Sequence, residues 1–217
     1  MSLSPELREK ILSAAHRAPA PTRAQAARAR LWLFAAGIAG AIAIFLIGGG
    51  VRMTDRPPSL VALTSLGTAV FAGAGSYVLF TRRGRSALRR PTVWLLLAAL
   101  AAVVGFLLLK YSLSTAYGRT DIWPERVGFR CLRLGILTGA LPLFAALVSW
   151  RGTDPLTPVA TGAAFGAGAG LGSAVLVDLW CPVAYLPHLL LGHVLPIVVL
   201  AVVGGLVGWR LLGLRKR

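Results

Sequence analysis

Long, nearly uncharged apolar stretches alternate with short basic segments along this chain. Each stretch has about the 20 apolar residues that an α-helix needs to cross the roughly 30 Å hydrocarbon core of a bilayer. Lipid offers no hydrogen-bond partner to the backbone, so runs of this length are expected to be helical, whereas a β-barrel would alternate apolar and polar positions. The pattern therefore predicts an all-α membrane protein built as a six-transmembrane-helix bundle. The six predicted spans are Leu31–Val51, Ser59–Thr81, Thr92–Ser112, Phe129–Trp150, Leu156–Val177 and Pro187–Leu212.

Basic side chains set the orientation of the bundle, because loops rich in Lys and Arg stay in the cytoplasm. One side of the membrane receives sixteen Lys and Arg residues, those of the N-terminal tail, of 82–91, of Arg151 and of the C-terminal end, and the other receives five. Both termini are therefore expected in the cytoplasm. Residues 1–30 then form a cytoplasmic tail with a short amphipathic helix, residues 31–212 the transmembrane domain, and residues 213–217 a basic cytoplasmic end.

Composition favours a bilayer over a soluble core. Hydrophobic residues make up 56% of the chain and charged residues 14%, whereas soluble domains carry about 25% charged residues. A net charge of +16 would suit nucleic acid, but the basic residues lie between apolar runs and not on one soluble face. The sequence contains none of the metalloprotease, hydrolase or phosphate-loop motifs. We therefore expect neither an enzyme, nor a nucleic-acid binder, nor a protein with a small-molecule substrate.

Glycines recur every four residues in the last two spans. They are Gly162, Gly166 and Gly170 in the fifth span and Gly204 and Gly208 in the sixth. Small residues at this spacing let two helix backbones approach closely, so we expect these spans to pack together. A channel lining is the alternative, but no predicted span carries the repeated polar positions of a conduction path.

The tail has the pattern of a short amphipathic helix. Ser4, followed by a proline and an acid, is typical of a helix start, and Leu7 and Ile11 continue as one apolar stripe. Residues 18–21 end this helix, and Thr22 is positioned to cap a second, Arg-rich helix that runs into the first span. Two interpretations remain open for the stripe: it lies on the membrane surface, or it docks into a groove of a soluble partner.

Both cysteines fall on the outward-facing side. Cys131 opens the fourth span and Cys181 lies between the fifth and sixth, near His188 and His193. Thiolate and imidazole suit zinc and other thiophilic metals, and disulfides persist outside the cytoplasm. On a regular helix the two histidines point about 140° apart, although Pro196 can kink the helix beside His193. We therefore expect Cys131, Cys181 and His188 as candidate metal ligands, with His193 as a further sensor candidate; the alternative is that the cysteines only pack and the histidines bond helix carbonyls.

One intramembrane ion pair is also expected. Arg133 lies about a turn inside the fourth span, and Asp178 ends the fifth on the same side. A charge at that depth needs a partner. The sequence therefore predicts a structural Arg133–Asp178 pair.

Three segments resemble a known family: Phe129–Leu132, Asp178–Pro182 and His188–Pro196. With the span number and loop lengths, they make the chain similar to the six-span anti-sigma factors of the NrsF type, including the CarR-like myxobacterial members. The resemblance implies a multi-pass protein of the bacterial inner membrane. Its partners would be membrane lipid and an extracytoplasmic-function sigma factor, which it would hold away from RNA polymerase and release on an envelope, oxidative or metal stress.

The resemblance also implies roles for residues. Cys131 and Cys181 would be sensor residues, and the tail would contact the sigma factor through its apolar side chains, for which the candidates are Leu3, Leu7 and Ile11. A membrane redox module remains the alternative, in which the cysteines exchange electrons or the histidines hold haem. A small transporter is a third class, but it would require polar residues at the midplane of the spans, and the sequence does not provide them.

Overall fold

The computed structural model describes residues 22–51, 127–151, 157–183 and 185–213, together with a few isolated positions between Ser4 and Gly105. Helices account for most of these residues, and no strand occurs among them. The prediction of an all-α fold is thereby confirmed for the described residues. The elements in chain order are α1 Arg23–Ile47, α2 Phe129–Ser149, α3 Pro158–Trp180, α4 Leu186–Leu189, a π-helical segment Leu190–Val194, and α5 Leu195–Leu211.

Four helical stretches in this part of the chain are long and apolar enough to cross a membrane. They are Ala24–Ile47, Phe129–Ser149, Pro158–Trp180 and Leu186–Leu211, the last formed by α4, the π segment and α5 together. These stretches correspond to the predicted first, fourth, fifth and sixth spans. The predicted second and third spans fall largely outside the described residues, so the six-helix count is not confirmed.

The start of α1 follows from local sequence. Thr22 caps the helix by accepting a hydrogen bond from the Gln25 N–H at 3.2 Å, and the Gln25 side chain accepts one from the Thr22 N–H at 2.9 Å. This reciprocal capping box satisfies two backbone donors that the first turn would otherwise leave unpaired. The predicted Thr22 cap is thus confirmed, and α1 begins in the basic segment well before the predicted Leu31.

Close backbone contact holds α3 against α5, as the glycine spacing predicts. A Cβ atom added at Gly162 would overlap the Gly204 carbonyl oxygen, and one added at Gly166 would overlap the Leu200 carbonyl oxygen. A Cβ at Gly208 would lie 2.8 Å from the Gly162 Cα. Any side chain at these positions would therefore push the two helices apart.

The four long helical stretches run in alternating directions in chain order, and two apolar clusters mark the two ends of the described bundle. At one end, Trp150, which caps the C-terminus of α2, packs with Phe165 and Leu212. At the other end, Cys131 from the first turn of α2 packs with Cys181, which follows α3. The start of α1 and the end of α5 lie at the Trp150 end, because Arg30 sits 5.3 Å from the Trp150 ring and Leu212 belongs to the Trp150 cluster.

Candidate thiol and imidazole site

The first ligand candidate, Cys131, is placed by the start of α2. Gly128 precedes that helix with φ +97°, a backbone conformation that favours glycine. A Cβ at Gly128 would lie 3.2 Å from the His188 carbonyl oxygen and 3.4 Å from its Nδ1. Because glycine has no side chain, the first turn of α2 can approach α4 closely. This approach brings Cys131 into a buried position beside His188.

The second cysteine sits where α3 ends. Cys181 is the C-cap residue in extended conformation, its N–H donates to the Val177 carbonyl at 2.8 Å, and Pro182 prevents the helix from continuing. The side chain is buried in an apolar cluster that includes Leu134, Val177 and Val183. Water is thereby largely excluded from the thiol.

His188 joins the two sulfur atoms. Its Nε2 lies 3.3 Å from the Cys131 Sγ and 3.1 Å from the Cys181 Sγ. The pKa of the Cys181 thiol lies well below its ordinary value; the hydrogen bond with Cys131 is the largest cause, bonds with His188 and His193 add to it, and burial opposes them. A lowered pKa favours the thiolate, which is the form that binds metals and reacts with oxidants.

His193 completes the cluster because the helix around it is not regular. The segment Leu190–Val194 is π-helical, and i→i+5 hydrogen bonding places residues five apart about one turn from each other. His188 and His193 therefore share a face, with ring centroids 5.8 Å apart. The separation of about 140° expected for a regular helix does not apply, and His193 belongs to the site itself. Pro196 has no N–H, so the usual i→i−4 hydrogen bond to the Gly192 carbonyl cannot form. This accounts for the wider π-helical turn.

All four predicted sensor residues thus meet at one point. One potential ligand atom from each of Cys131, Cys181, His188 and His193 lies within 4.8 Å of the others, and all four residues are buried. Two thiolates with two imidazoles form a donor set typical of tetrahedral zinc and suitable for other thiophilic metals. Both cysteines are present as thiols, so the same group could also be oxidised. The group could hold a metal ion.

Gly192 is a site residue that sequence reasoning missed. A Cβ at this position would lie 2.8 Å from the Cys131 Cβ and 3.2 Å from the Gly128 carbonyl oxygen. The glycine therefore leaves room for α2 beside the π segment. Its place between three leucines and His193 was the available signal.

The Arg133–Asp178 ion pair stays a prediction, and the two side chains lie in different surroundings. Arg133 is exposed, whereas Asp178 is buried and accepts a hydrogen bond from the Ser65 hydroxyl at 2.7 Å. Trp180 makes a contact that the sequence did not predict: its indole N–H donates to the Gly48 carbonyl oxygen at 3.0 Å.

The predicted sigma-factor contacts Leu3, Leu7 and Ile11 lie outside the described residues.

Comparison with known proteins gives a family for this arrangement. A family model described as NrsF, negative regulator of sigma F, matches residues 14–213. No curated protein and no solved structure matches the chain. A negative regulator of a sigma factor is a regulatory protein and does not belong to an enzyme class. Because the match covers most of the 217 residues, the chain belongs to the NrsF family.

Proposed function

We propose that this protein is an integral anti-sigma factor of the bacterial inner membrane, which sequesters an extracytoplasmic-function sigma factor and releases it on a metal or oxidative signal in the envelope. The family match supplies the regulation of a sigma factor. The observation that carries the sensing role is the convergence of Cys131, Cys181, His188 and His193 in one buried cluster. Such a cluster is more than packing requires, because burying two imidazoles and two thiols costs free energy that apolar side chains at these positions would not cost.

Membrane insertion is supported by the outer surface of the helices. Large apolar side chains are exposed on the described helices, Ile47 at 87%, Trp32 at 69% and Leu206 at 64%. A water-soluble protein rarely exposes apolar patches of this extent. In contact with lipid, or with the remaining predicted spans, these side chains would not be exposed to water.

The direction of signalling follows from the ends of the bundle. The start of α1, which continues from the basic tail, lies at the Trp150 end, and the cysteine cluster lies at the opposite end. With the basic segments in the cytoplasm, the cluster faces the envelope, where metals and oxidants arrive. The tail faces the compartment that contains RNA polymerase and its sigma factors.

The residues of the cluster fit two related signals. Cys131, Cys181, His188 and His193 would hold a thiophilic cation, and a bound cation would supply a four-ligand link between α2, the end of α3, α4 and the π segment. Alternatively, an envelope oxidant would oxidise the two thiols. In both cases the apolar neighbours Leu134 and Val183 keep water from the sulfur atoms. Either event changes the signalling state only if it favours one arrangement of the helices over the other.

The test is a set of cysteine variants in cells with a promoter that depends on the sigma factor. We expect Cys131→Ser and Cys181→Ser, singly and together, to lock the protein in one signalling state at unchanged membrane level, because a hydroxyl is neither a comparable nucleophile nor a soft ligand. The corresponding alanine variants show whether an effect comes from burying the serine hydroxyl or from losing the thiol. A full inducible response in the double serine variant would remove the cysteines from sensing. Failure of any sigma factor to co-purify with the detergent-solubilised protein would overturn the anti-sigma function.

A further inference from the structure

The residue directly before Cys181 connects the candidate site to another helix. Trp180 ends α3, and its indole N–H donates at 3.0 Å to the carbonyl oxygen of Gly48. Gly48 is the C-cap of α1. Helix ends expose carbonyl groups that have no partner within the helix, so Trp180 satisfies one of them from a distant part of the chain. The end of α1 is thereby attached to the backbone that carries a candidate ligand.

A second contact at the same end supports this connection. Ile44, one turn before Gly48, packs against the cluster formed by Cys131, Leu134 and Cys181. Among the described helices, α1 rests mainly on α2 along the rest of its length, where a Cβ added at Gly37 would meet the Ala145 Cβ at 2.9 Å. The contacts of α1 with the site are thus confined to its last turn.

The opposite end of α1 leads into the tail. The helix is 25 residues long and contains no proline, so it spans about 37 Å at 1.5 Å per residue without an evident cause for a kink. Near its start, the Arg30 guanidinium lies 5.3 Å from the centre of the Trp150 ring. A shift or rotation of the last turn therefore changes the position of the first turn, which directly follows the tail.

We propose that Trp180 is a positioning residue that couples the state of the Cys181 site to α1, and through α1 to the cytoplasmic tail. The proposal rests on the function proposed above. A ligand or a disulfide at the cluster changes where the Cys181 backbone sits. Because Trp180 is the adjacent residue, its hydrogen bond to Gly48 transmits that change to α1, while the Arg30–Trp150 contact guides the cytoplasmic end.

The experiment replaces Trp180 by phenylalanine in the full-length protein, which keeps an apolar ring and removes the N–H donor. Two quantities are measured: the induction ratio of the sigma-dependent promoter in cells, and the site itself through Zn²⁺ stoichiometry and alkylation of Cys131 and Cys181 in purified protein. We expect the induction ratio to fall about two- to tenfold, the effect of losing one hydrogen bond, with the site measurements unchanged. Trp209→Phe is the matched control, because Trp209 is 62% exposed on α5, and it should behave as the wild type.

The outcomes separate the two proposals. A wild-type induction ratio in Trp180→Phe, combined with lost induction in the cysteine variants, overturns the coupling and leaves the sensor intact. Altered Zn²⁺ stoichiometry or alkylation in Trp180→Phe also overturns the coupling, because Trp180 would then support the site structurally. Normal induction in the cysteine variants overturns the sensor itself.

Discussion

His188 and His193 face each other across a π-helical turn, with their ring centroids 5.8 Å apart. A regular α-helix would direct them to different faces, because five residues exceed one turn of 3.6. The wider turn brings both imidazoles beside the two thiols. Single π turns inside α-helices occur frequently at functional sites, and here the turn determines whether the site has three donors or four.

The first prediction tests His193 as the fourth ligand. We expect His193→Ala to weaken Zn²⁺ binding by the purified protein by more than about 100-fold, because even residues that only support a metal ligand contribute 10–100-fold. Competition with a chromophoric chelator measures the affinity, and His188→Ala should show a loss of similar size. His16→Ala, in the predicted cytoplasmic tail, is the control. Wild-type affinity in His193→Ala would mean that only Cys131, Cys181 and His188, the three ligands predicted from sequence, bind the metal.

The second prediction concerns the space that Gly192 leaves for Cys131. In Gly192→Ala the new methyl group would lie 2.8 Å from the Cys131 Cβ, so the start of α2 must move. Overpacking costs about 1–3 kcal/mol, which lowers the population with an assembled site by roughly five- to a hundredfold. The rate of Cys131–Cys181 disulfide formation under mild oxidation should fall accordingly. At Gly172 an added Cβ meets no described atom within 4 Å, so Gly172→Ala should form the disulfide at the wild-type rate; equal rates in both variants would contradict this account.

The third prediction uses two adjacent glycines of α5. A Cβ at Gly204 would overlap the Gly162 carbonyl oxygen, whereas a Cβ at Gly205 would have its nearest neighbour at an ordinary 3.4 Å. Gly204→Ala should therefore separate α3 from α5 and destabilise the protein by about 1–3 kcal/mol. Thermal unfolding in detergent should show a midpoint lowered by roughly 2–4 °C per kcal/mol. Gly205→Ala should stay near the wild type, and equal midpoints would show that the glycines do not hold these helices together.

The sequence was sufficient for the features that depend on local pattern. Apolar length predicts the four described helical stretches that are long enough to span a membrane, glycine spacing predicts the α3–α5 contact, and a threonine before the Arg-rich segment predicts the cap of α1. Each of these signals is contained within one helix or one regular repeat. The cysteines and histidines could also be selected, because thiols and imidazoles are rare in such an apolar chain.

The remaining features depend on contacts between residues far apart in the chain. The π turn is a choice of hydrogen-bond register that apolar periodicity does not encode, so His193 was expected on another face. Asp178 accepts a hydrogen bond from Ser65, a contact that sequence reasoning did not predict, because an uncharged hydroxyl carries no signal of its partner. The Trp180–Gly48 hydrogen bond joins residues 132 positions apart, and no local rule selects that partner.

The fourth prediction is the topology of the chain. The end of α1 and the start of α2 lie at the same end of the bundle, since a Cβ at Gly48 would be 3.4 Å from the Leu134 side chain. Two predicted spans between them are compatible with this arrangement, because an even number of crossings would return the chain to the same end. A reporter that is active only in the cytoplasm should function at the C-terminus and fail near Trp123. The opposite activities would reverse the orientation and place the cysteine cluster in the cytoplasm.

The last prediction concerns the apolar stripe of the tail. If Leu7 and Ile11 bind the sigma factor, each buries a side chain worth about 1.5–3 kcal/mol, and replacing both by glutamate removes this and introduces charge into the contact. Because about 1.4 kcal/mol corresponds to a tenfold change in affinity, binding should weaken by several orders of magnitude. We therefore expect Leu7→Glu with Ile11→Glu to give constitutive expression from the sigma-dependent promoter at normal membrane abundance.

A lipid-bound stripe would behave differently from a sigma-binding one. Substitution of Glu6 and Glu9 by glutamine, on the same predicted helix but outside the stripe, provides the control and should leave repression unchanged. Pull-down of the sigma factor by solubilised protein separates loss of binding from loss of insertion. Full repression by the double glutamate variant, at wild-type abundance, would assign the stripe to the membrane surface and direct the search for the sigma contact to the basic loop 82–91, because that is the next cytoplasmic segment in the predicted topology.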